Sequence, residues 1–467
     1  MLDYLAVKNL RSIGREQGIN IKPLTVIMGK NSSGKSSILR AMFLLRQTAE
    51  ARDPQTAAVF EGQYAQLGSF HDFAYKHAPN TEVGVTWGFR PDRPHRIPIP
   101  IPIRRELDQY DLVSRAAGAV LSSVSLAATF TYNRRTTEVR SESVAVDASL
   151  RSDIPEGPAS DWCLRLERNR IDNTWSEFAY SSEAMGLGGS YKIQRTGKFY
   201  DLSIGRFHAR QRRSGVYTQY LLRRIAAALA QYLDREAERL VLLGPLRTEA
   251  RRFYLLTGER PEQIGLAGEK SIEVLWMAQR RGVAVTDFVQ KWLKAFDISL
   301  NIKLRRLART SFLAVELEDP RTNVAVQLAD VGVGASQVLP ILIGGFMSVP
   351  GTTLVIEQPE LHLHPAAQAE MGDALIEMMR GERIVIIETH SEHLVRRIQR
   401  RIADGTLNED KVAIYYTERT GRGTEIIRIP LDERGSFLSE SLPEGFFDVD
   451  YRETTAMTSA WRAKRNV

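Results

Sequence analysis

Eight consecutive residues, Gly29-Lys-Asn-Ser-Ser-Gly-Lys35-Ser36, fit the phosphate-loop pattern G-x-x-x-x-G-K-[ST] with no position missing. Glycines at 29 and 34 let such a loop bend until successive backbone N–H groups point at phosphate oxygens. The N-terminal dipole of a following helix adds to the attraction. Gly29, Asn31, Ser32, Ser33, Gly34, Lys35, Ser36 and Ser37 are therefore the residues expected against a nucleotide. Lys35 would reach the β- and γ-phosphates, and the Ser36 hydroxyl would ligate Mg²⁺. Taken alone, the segment also reads as a glycine-rich turn without a ligand.

Further segments come in a fixed order. Val326-Gln-Leu-Ala-Asp-Val-Gly-Val-Gly-Ala-Ser-Gln is a glycine-containing turn leading into an apolar helix, with Gly332 and Gly334 exposing amides and Ser336 and Gln337 at the helix start. Thr353-Leu-Val-Ile-Glu-Gln-Pro-Glu reads as a buried strand ending in acid, where Glu357 would hold Mg²⁺ through water. His362 and His364 lie just beyond, and two imidazoles without further ligands are a poor transition-metal signal. Arg383-Ile-Val-Ile-Ile-Glu-Thr-His is another buried strand, presenting Thr389 and His390. In a nucleotide site His390 would donate a hydrogen bond to the γ-phosphate; otherwise it opens a helix capped by Ser391.

The elements that must position these groups are legible in outline. A first strand over Leu2–Leu10, a second over Ile19–Met28 through Pro23, and a helix over Ser36–Arg46 bracket the loop. Tyr64 to Phe73 reads as loop with a short helix. From about 80 to 205, short alternating runs predict strands at hairpin spacing. Ile97-Pro-Ile-Pro-Ile-Pro-Ile lacks ladder donors at its prolines and reads as a linker or edge segment. A basic stretch, Arg206, His208, Arg210, Arg212 and Arg213, precedes a helix over Tyr217–Leu240 that carries Arg223 and Arg224. It suits a solvated face, nucleic acid or an acidic partner. Helices over Ser271–Arg281 and Val285–Phe296 and strands over Ser299–Leu304 and Phe312–Leu317 complete the middle. No heptad run predicts a coiled coil between about 50 and 325.

The 467 residues, 43% hydrophobic and 25% charged, suit a soluble globular chain of several domains. A net charge of +7 permits nucleic acid without requiring it. One cysteine, Cys163, excludes an internal disulfide and reads as a small buried residue. The N-terminus lacks a basic segment followed by an apolar core, and Val338–Val349 is too short for a bilayer and contains Pro340, so a cytoplasmic protein is expected.

Together these motifs resemble ABC-type ATPases of the SMC/RecF and OLD-like AAA group. The resemblance runs through Gly29–Ser36 as Walker A, Val331-Gly-Val-Gly-Ala-Ser-Gln as signature, Leu354–Glu357 as Walker B, Leu361–Pro365 as D-loop and His390 as switch histidine. It implies an α/β fold: a head built from both chain ends (1–75 and 241–400), an inserted β-rich then helical lobe (76–240), no long coiled coil, and a C-terminal module (401–467). It implies ATP and Mg²⁺, the metal on Ser36 and Glu357, and a homodimer or higher oligomer in which Gly334, Ser336 and Gln337 of one subunit cap the nucleotide of the other. Lys35, Glu357, Gln358 and His390 are the implied catalytic set, with the Q-loop glutamine at Gln63 or Gln66. The family carries glutamate where Gln358 stands, and an amide cannot accept a proton as a carboxylate does. Slow hydrolysis is expected, with Glu360 or Glu388 as other carboxylates in reach. Relatives of this layout occur in bacterial anti-phage systems of the PARIS and Septu types, which implies a separate effector. DNA contact through Arg206, Arg210, Arg212 and Arg213, a RecF-like repair clamp and an OLD-like nuclease using Asp448 and Asp450 are the other readings.

Overall fold

The computed structural model describes all residues except 52–57, 79, 98–118, 134–137, 153–160, 172–174, 183–186, 195–197, 203–212, 259–262, 309, 439–456 and 458–467. The prolines of 98–102, Arg206, Arg210, Arg212, and Asp448 with Asp450 lie outside the described residues, as does the side chain of Arg213. The chain forms two compact units. One comprises Met1–Ile21, Ser36–Val241 and Gly421–Gly423; the other comprises Lys22–Lys35, Leu242–Thr420 and Thr424–Val467.

The first unit is built on an antiparallel sheet. Its strands are β1 (Leu2–Lys8), β2 (Gln17–Asn20), β4 (Val83–Phe89), β5 (His95–Ile97), β6 (Ala119–Asn133), β7 (Glu138–Ser152), β8 (Asp161–Arg170), β9 (Trp175–Ser182) and β10 (Leu187–Gln194). The order is β10-β9-β8-β7-β6-β4-β1-β2, with β5 on β6, so the strands after residue 80 extend the sheet that β1 begins. Alternation places Val83, Val85, Trp87 and Phe89 of β4, and Val124, Leu126, Ala128 and Phe130 of β6, in the core. Cys163 is exposed, correcting the buried reading: the same alternation turns its neighbours Leu164 and Leu166 inward and Cys163 out. Helices α1 (Lys35–Ala49), α2 (Phe70–Phe73) and α3 (Arg213–Glu238) belong largely to this unit. Ile225, Leu229 and Tyr232 form the buried stripe of α3, and Arg223 and Arg224 are exposed.

The second unit carries the mostly parallel sheet. Its order is β11 (Leu240–Leu243), β16 (Thr353–Glu357), β17 (Ile384–Glu388), β3 (Leu24–Gly29), β18 (Val412–Thr420) and β19 (Gly423–Ile429). Strands β16, β17, β3 and β18 run parallel, and every residue of β3 and β17 is buried. This explains their unbroken apolar runs: strands covered on both faces have no solvent side. The single strand expected over Ile19–Met28 is two, since β2 pairs with β1 and β3 with β17 and β18. Pro23, which has no N–H to give a ladder, lies in the break. Residues 412–429 supply β18 and β19 to the sheet that holds the loop strand. Helices α4 (Ser271–Arg280), α5 (Val285–Ala295), α6 (Val333–Met347), α7 (Pro365–Met379) and α8 (Glu392–Ala403) and a small sheet, β12 (Tyr254–Leu255), β13 (Ile302–Arg306), β14 (Phe312–Glu318) and β15 (Ala325–Gln327), complete the unit. Among the described residues no helix is long and apolar enough to cross a membrane.

Candidate nucleotide site

Gly29 ends β3 at φ +147°, and a Cβ there would lie 2.3 Å from the Thr417 carbonyl oxygen of β18. The loop then turns through Ser32 at φ +59° and Gly34 at φ +104°. Strand β18 and the start of β19 fasten it. Ser33 Oγ lies 2.5 Å from Thr417 Oγ1, and Thr424 Oγ1 donates to the Ser33 carbonyl at 2.8 Å. Ser33 is therefore buried and spent on the scaffold, while Lys30, Asn31 and Ser32 are exposed. Ser36 and Ser37 come next, in the first turn of α1.

Lys35 folds back over its own loop, with Nζ donating to the Gly29 and Lys30 carbonyls at 2.9 Å each and lying 3.9 Å from Glu388 Oε1. Burial pulls its pKa down and the Glu388 carboxylate opposes that. A buried cation satisfied by main-chain carbonyls at the mouth of a bent loop is the donor set a phosphate needs. With glycine where a side chain would collide and the following helix starting at Lys35, the residues fit a nucleotide.

The acidic edge is set by parallel register, which puts Glu357 beside Glu388 and Glu388 beside Ile27. Gln358, at φ +46°, leaves β16 in the left-handed region, its N–H donating to the Glu388 carbonyl at 2.7 Å. The turn continues with Leu361 N–H on the Gln358 carbonyl at 3.2 Å. Glu360 is buried, and its Oε1 accepts the His390 N–H at 2.8 Å while Oε2 has no partner. Burial pushes the Glu360 carboxyl up against the hydrogen bonds and the Arg247 charge that favour its ionised form. The His390 ring is exposed, and burial of part of it and then the Lys35 charge hold it below the ordinary histidine value. Ser391 caps α8 by accepting the Leu394 N–H at 3.1 Å, so the capping expected there exists beside the exposed histidine. His364 caps α7 through Nδ1, which accepts the Ala366 N–H.

The glycine turn before α6 is held by Arg252, which donates to Asp330 at 2.6 and 3.0 Å. A Cβ on Gly334 would sit 3.2 Å from the His362 carbonyl. Ser336 is buried with its hydroxyl on the Val333 carbonyl at 2.8 Å. Gln337 is buried too, its amide accepting the Arg247 N–H and donating to the Arg247 carbonyl, both at 3.4 Å. Arg247 in turn sends Nη2 to the Glu357 carbonyl at 2.8 Å and Nη1 to that of Gln358 at 3.5 Å. The structure thus joins Lys35 to Glu388, Gln358 to Glu388, Glu360 to His390, and Gln337 through Arg247 to the end of β16. Among the described residues no hydrogen bond or ion pair joins residues 334–337 to 29–35. Gln63 donates to Glu50 at 3.2 Å, and the Gln66 carbonyl accepts from Arg11 at 2.8 Å. Arg247 is the residue that motif reading missed. Its only signal was an arginine just after the strand Leu240-Val-Leu-Leu-Gly-Pro-Leu.

Residues 1–81 and 269–395 match the family model described as an AAA ATPase domain. A comparison with the curated proteins finds no match. Among solved structures, the chain overlaps the SMC head domain from Thermotoga maritima at 11% identity and TM-score 0.39, over 92% of this chain and 99% of that one. A Pyrococcus furiosus Smc head with an extended coiled coil, bound to the C-terminal domain of ScpA, overlaps at 11% and 0.41, over 92% and 96%. The family match spans under half of the chain, and the structural overlaps at TM-scores of 0.39 and 0.41 carry no argument.

Proposed function

We propose, from the premise that this chain carries an AAA ATPase domain assembled from both its ends as in the SMC/RecF-like group, that ATP bound on Gly29–Ser36 gates association of two such domains and is hydrolysed slowly. The observation that carries the reading is Lys35, buried at the mouth of the bent loop and held between two loop carbonyls and Glu388. Gly29, Asn31, Ser32, Ser33, Gly34 and Ser37 frame the phosphates, and Lys35 takes their charge. Ser36 and Glu357 would hold Mg²⁺, which would supply positive charge against that developing on the phosphates. Gln358 orients water without accepting its proton, which supports slow turnover, and His390 donates to the terminal phosphate. Gly334, Ser336 and Gln337 shape the turn that faces a partner's nucleotide, the two buried side chains acting by holding its backbone. On the resemblance alone, the gated dimer controls a separate effector protein in anti-phage defence.

The test is ATP turnover and oligomeric mass for wild type, Lys35→Ala and Gln358→Glu, each with and without DNA. Wild type should bind ATP, gain mass and turn over slowly, and Lys35→Ala should lose both responses. Gln358→Glu should hydrolyse faster, by up to the roughly 10²-fold a placed general base supplies. Wild-type behaviour in Lys35→Ala removes nucleotide as the switch.

A further inference from the structure

Arg247 belongs to none of the motifs that define the site, yet the chain turns it inward where its neighbour Leu246 is 78% exposed and Arg247 itself only 5%. Desolvating a guanidinium is costly, and burial pushes its pKa down to about 10 against the favourable charges of Glu360 and Glu357, so it stays ionised at neutral pH. The partners it finds there are two consecutive carbonyls, Glu357 and Gln358, at the point where β16 stops. That point is conformationally expensive, because Gln358 sits at φ +46°, a region that costs a non-glycine residue roughly 1–2 kcal/mol. The guanidinium holds the Glu357 carbonyl at 2.8 Å and reaches that of Gln358 at 3.5 Å, so its planar fork constrains the backbone from which the Gln358 side chain leaves. Lysine, a point charge on a flexible stem, carries the charge but not the fork. On its other side, the Arg247 main chain is clasped at both N–H and C=O by the Gln337 amide from the first turns of α6. One residue therefore ties the glycine turn before α6 to the corner that carries Gln358.

We infer that Arg247 is a positioning residue for hydrolysis, acting through Gln358 and set in place by Gln337; the inference rests on the proposed ATPase activity. The experiment uses the full chain and measures ATP affinity, single-turnover hydrolysis and thermal midpoint for wild type, Arg247→Lys, Gln337→Ala, Gln358→Ala and the double variant Arg247→Lys with Gln358→Ala. Arg247→Lys should keep ATP affinity within about threefold while hydrolysis falls about tenfold or more. Gln337→Ala should lower hydrolysis in the same direction by a smaller factor, which keeps the test open if Arg247→Lys does not fold. With Gln358 already alanine, Arg247→Lys should cost nothing further, a coupling that general loosening of the fold does not produce. Additive losses in the double variant, or affinity falling in step with hydrolysis, overturn the proposal. Wild type that neither binds nor hydrolyses ATP overturns the ATPase reading itself, and this inference falls with it. Wild-type ATP binding and turnover, measured in the same series, tell the two failures apart.

Discussion

At the scale of the residue, Gly29 has little latitude. Alanine there places a Cβ 2.3 Å from a backbone oxygen at a φ of +147°, and a backbone oxygen in a sheet cannot swing aside as a side-chain tip can. Gly29→Ala should lower stability by roughly 1–3 kcal/mol, the range for a forced backbone conformation, and abolish ATP binding; thermal melts and a binding titration check both. His390 gives a pH prediction. Burial and Lys35 depress its pKa below 6.5, so the ring is neutral at pH 7 and above and charges only as pH falls further. The acid limb of hydrolysis from this group should lie below pH 6.5 and disappear in His390→Gln, as read by single-turnover rates between about pH 5 and 8.

At the scale of the element, the parallel strands act as rulers and the helices brace one another around them. Register alone brings Glu357, Glu388 and Gly29 to one edge, and β18 closes over the loop through Thr417. Thr417→Val keeps the shape and removes the Ser33 partner, so ATP affinity should fall several-fold, with stability reduced by about 1 kcal/mol. Helices α7 and α8, which precede and follow β17, are tied by Asp373, which accepts from Arg401 at 2.6 and 2.7 Å and from Arg397, itself bonded to Glu370 at 2.8 Å. Burial pushes the Asp373 carboxyl up, but the two arginines outweigh it and hold the carboxyl below its ordinary range. A carboxylate depressed in the folded state contributes stability above its unfolded pKa and loses it as pH falls through the folded value. Asp373→Asn should therefore destabilise at pH 7 and lose less stability than wild type on acidification below about pH 4. Urea unfolding at both pH values reads the difference.

At the scale of the whole molecule, the chain crosses between its two units inside the phosphate loop segment itself: Lys35 belongs to one and Ser36 to the other. A ligand that binds the folded loop and not the unfolded chain stabilises the folded state, so ATP with Mg²⁺ should raise the stability of the protein. At a hundredfold excess over Kd the gain is about 2.7 kcal/mol, visible as a rise in the thermal midpoint of wild type and absent in Lys35→Ala. The long antiparallel sheet of the first unit contributes no candidate site residue among those described. Its β1 and the α1 that succeeds the loop nevertheless lie within the matched ATPase segments.

Local rules made much of this legible in one dimension. The phosphate loop needs residue types at fixed spacing, so Gly29, Gly34 and Lys35 announce themselves. Strands buried on both faces need unbroken apolar runs, so β16 and β17 and the acids that end them do likewise. What tertiary structure alone decided concerns partners distant in the chain. Ile19–Met28 looks like one strand because periodicity carries no information about which sheet a strand joins, and its halves pair in different sheets. Thr417 and Thr424 are ordinary β-branched residues until the parallel pairing of β18 with β3, and the place of β19 beside β18, set them on Ser33, nearly four hundred positions earlier. Arg247 is one arginine among many as a letter, since charge at a strand end normally means solvent. Only packing turned it inward, where the Glu357 and Gln358 carbonyls accept from its guanidinium and the Gln337 amide clasps its main chain.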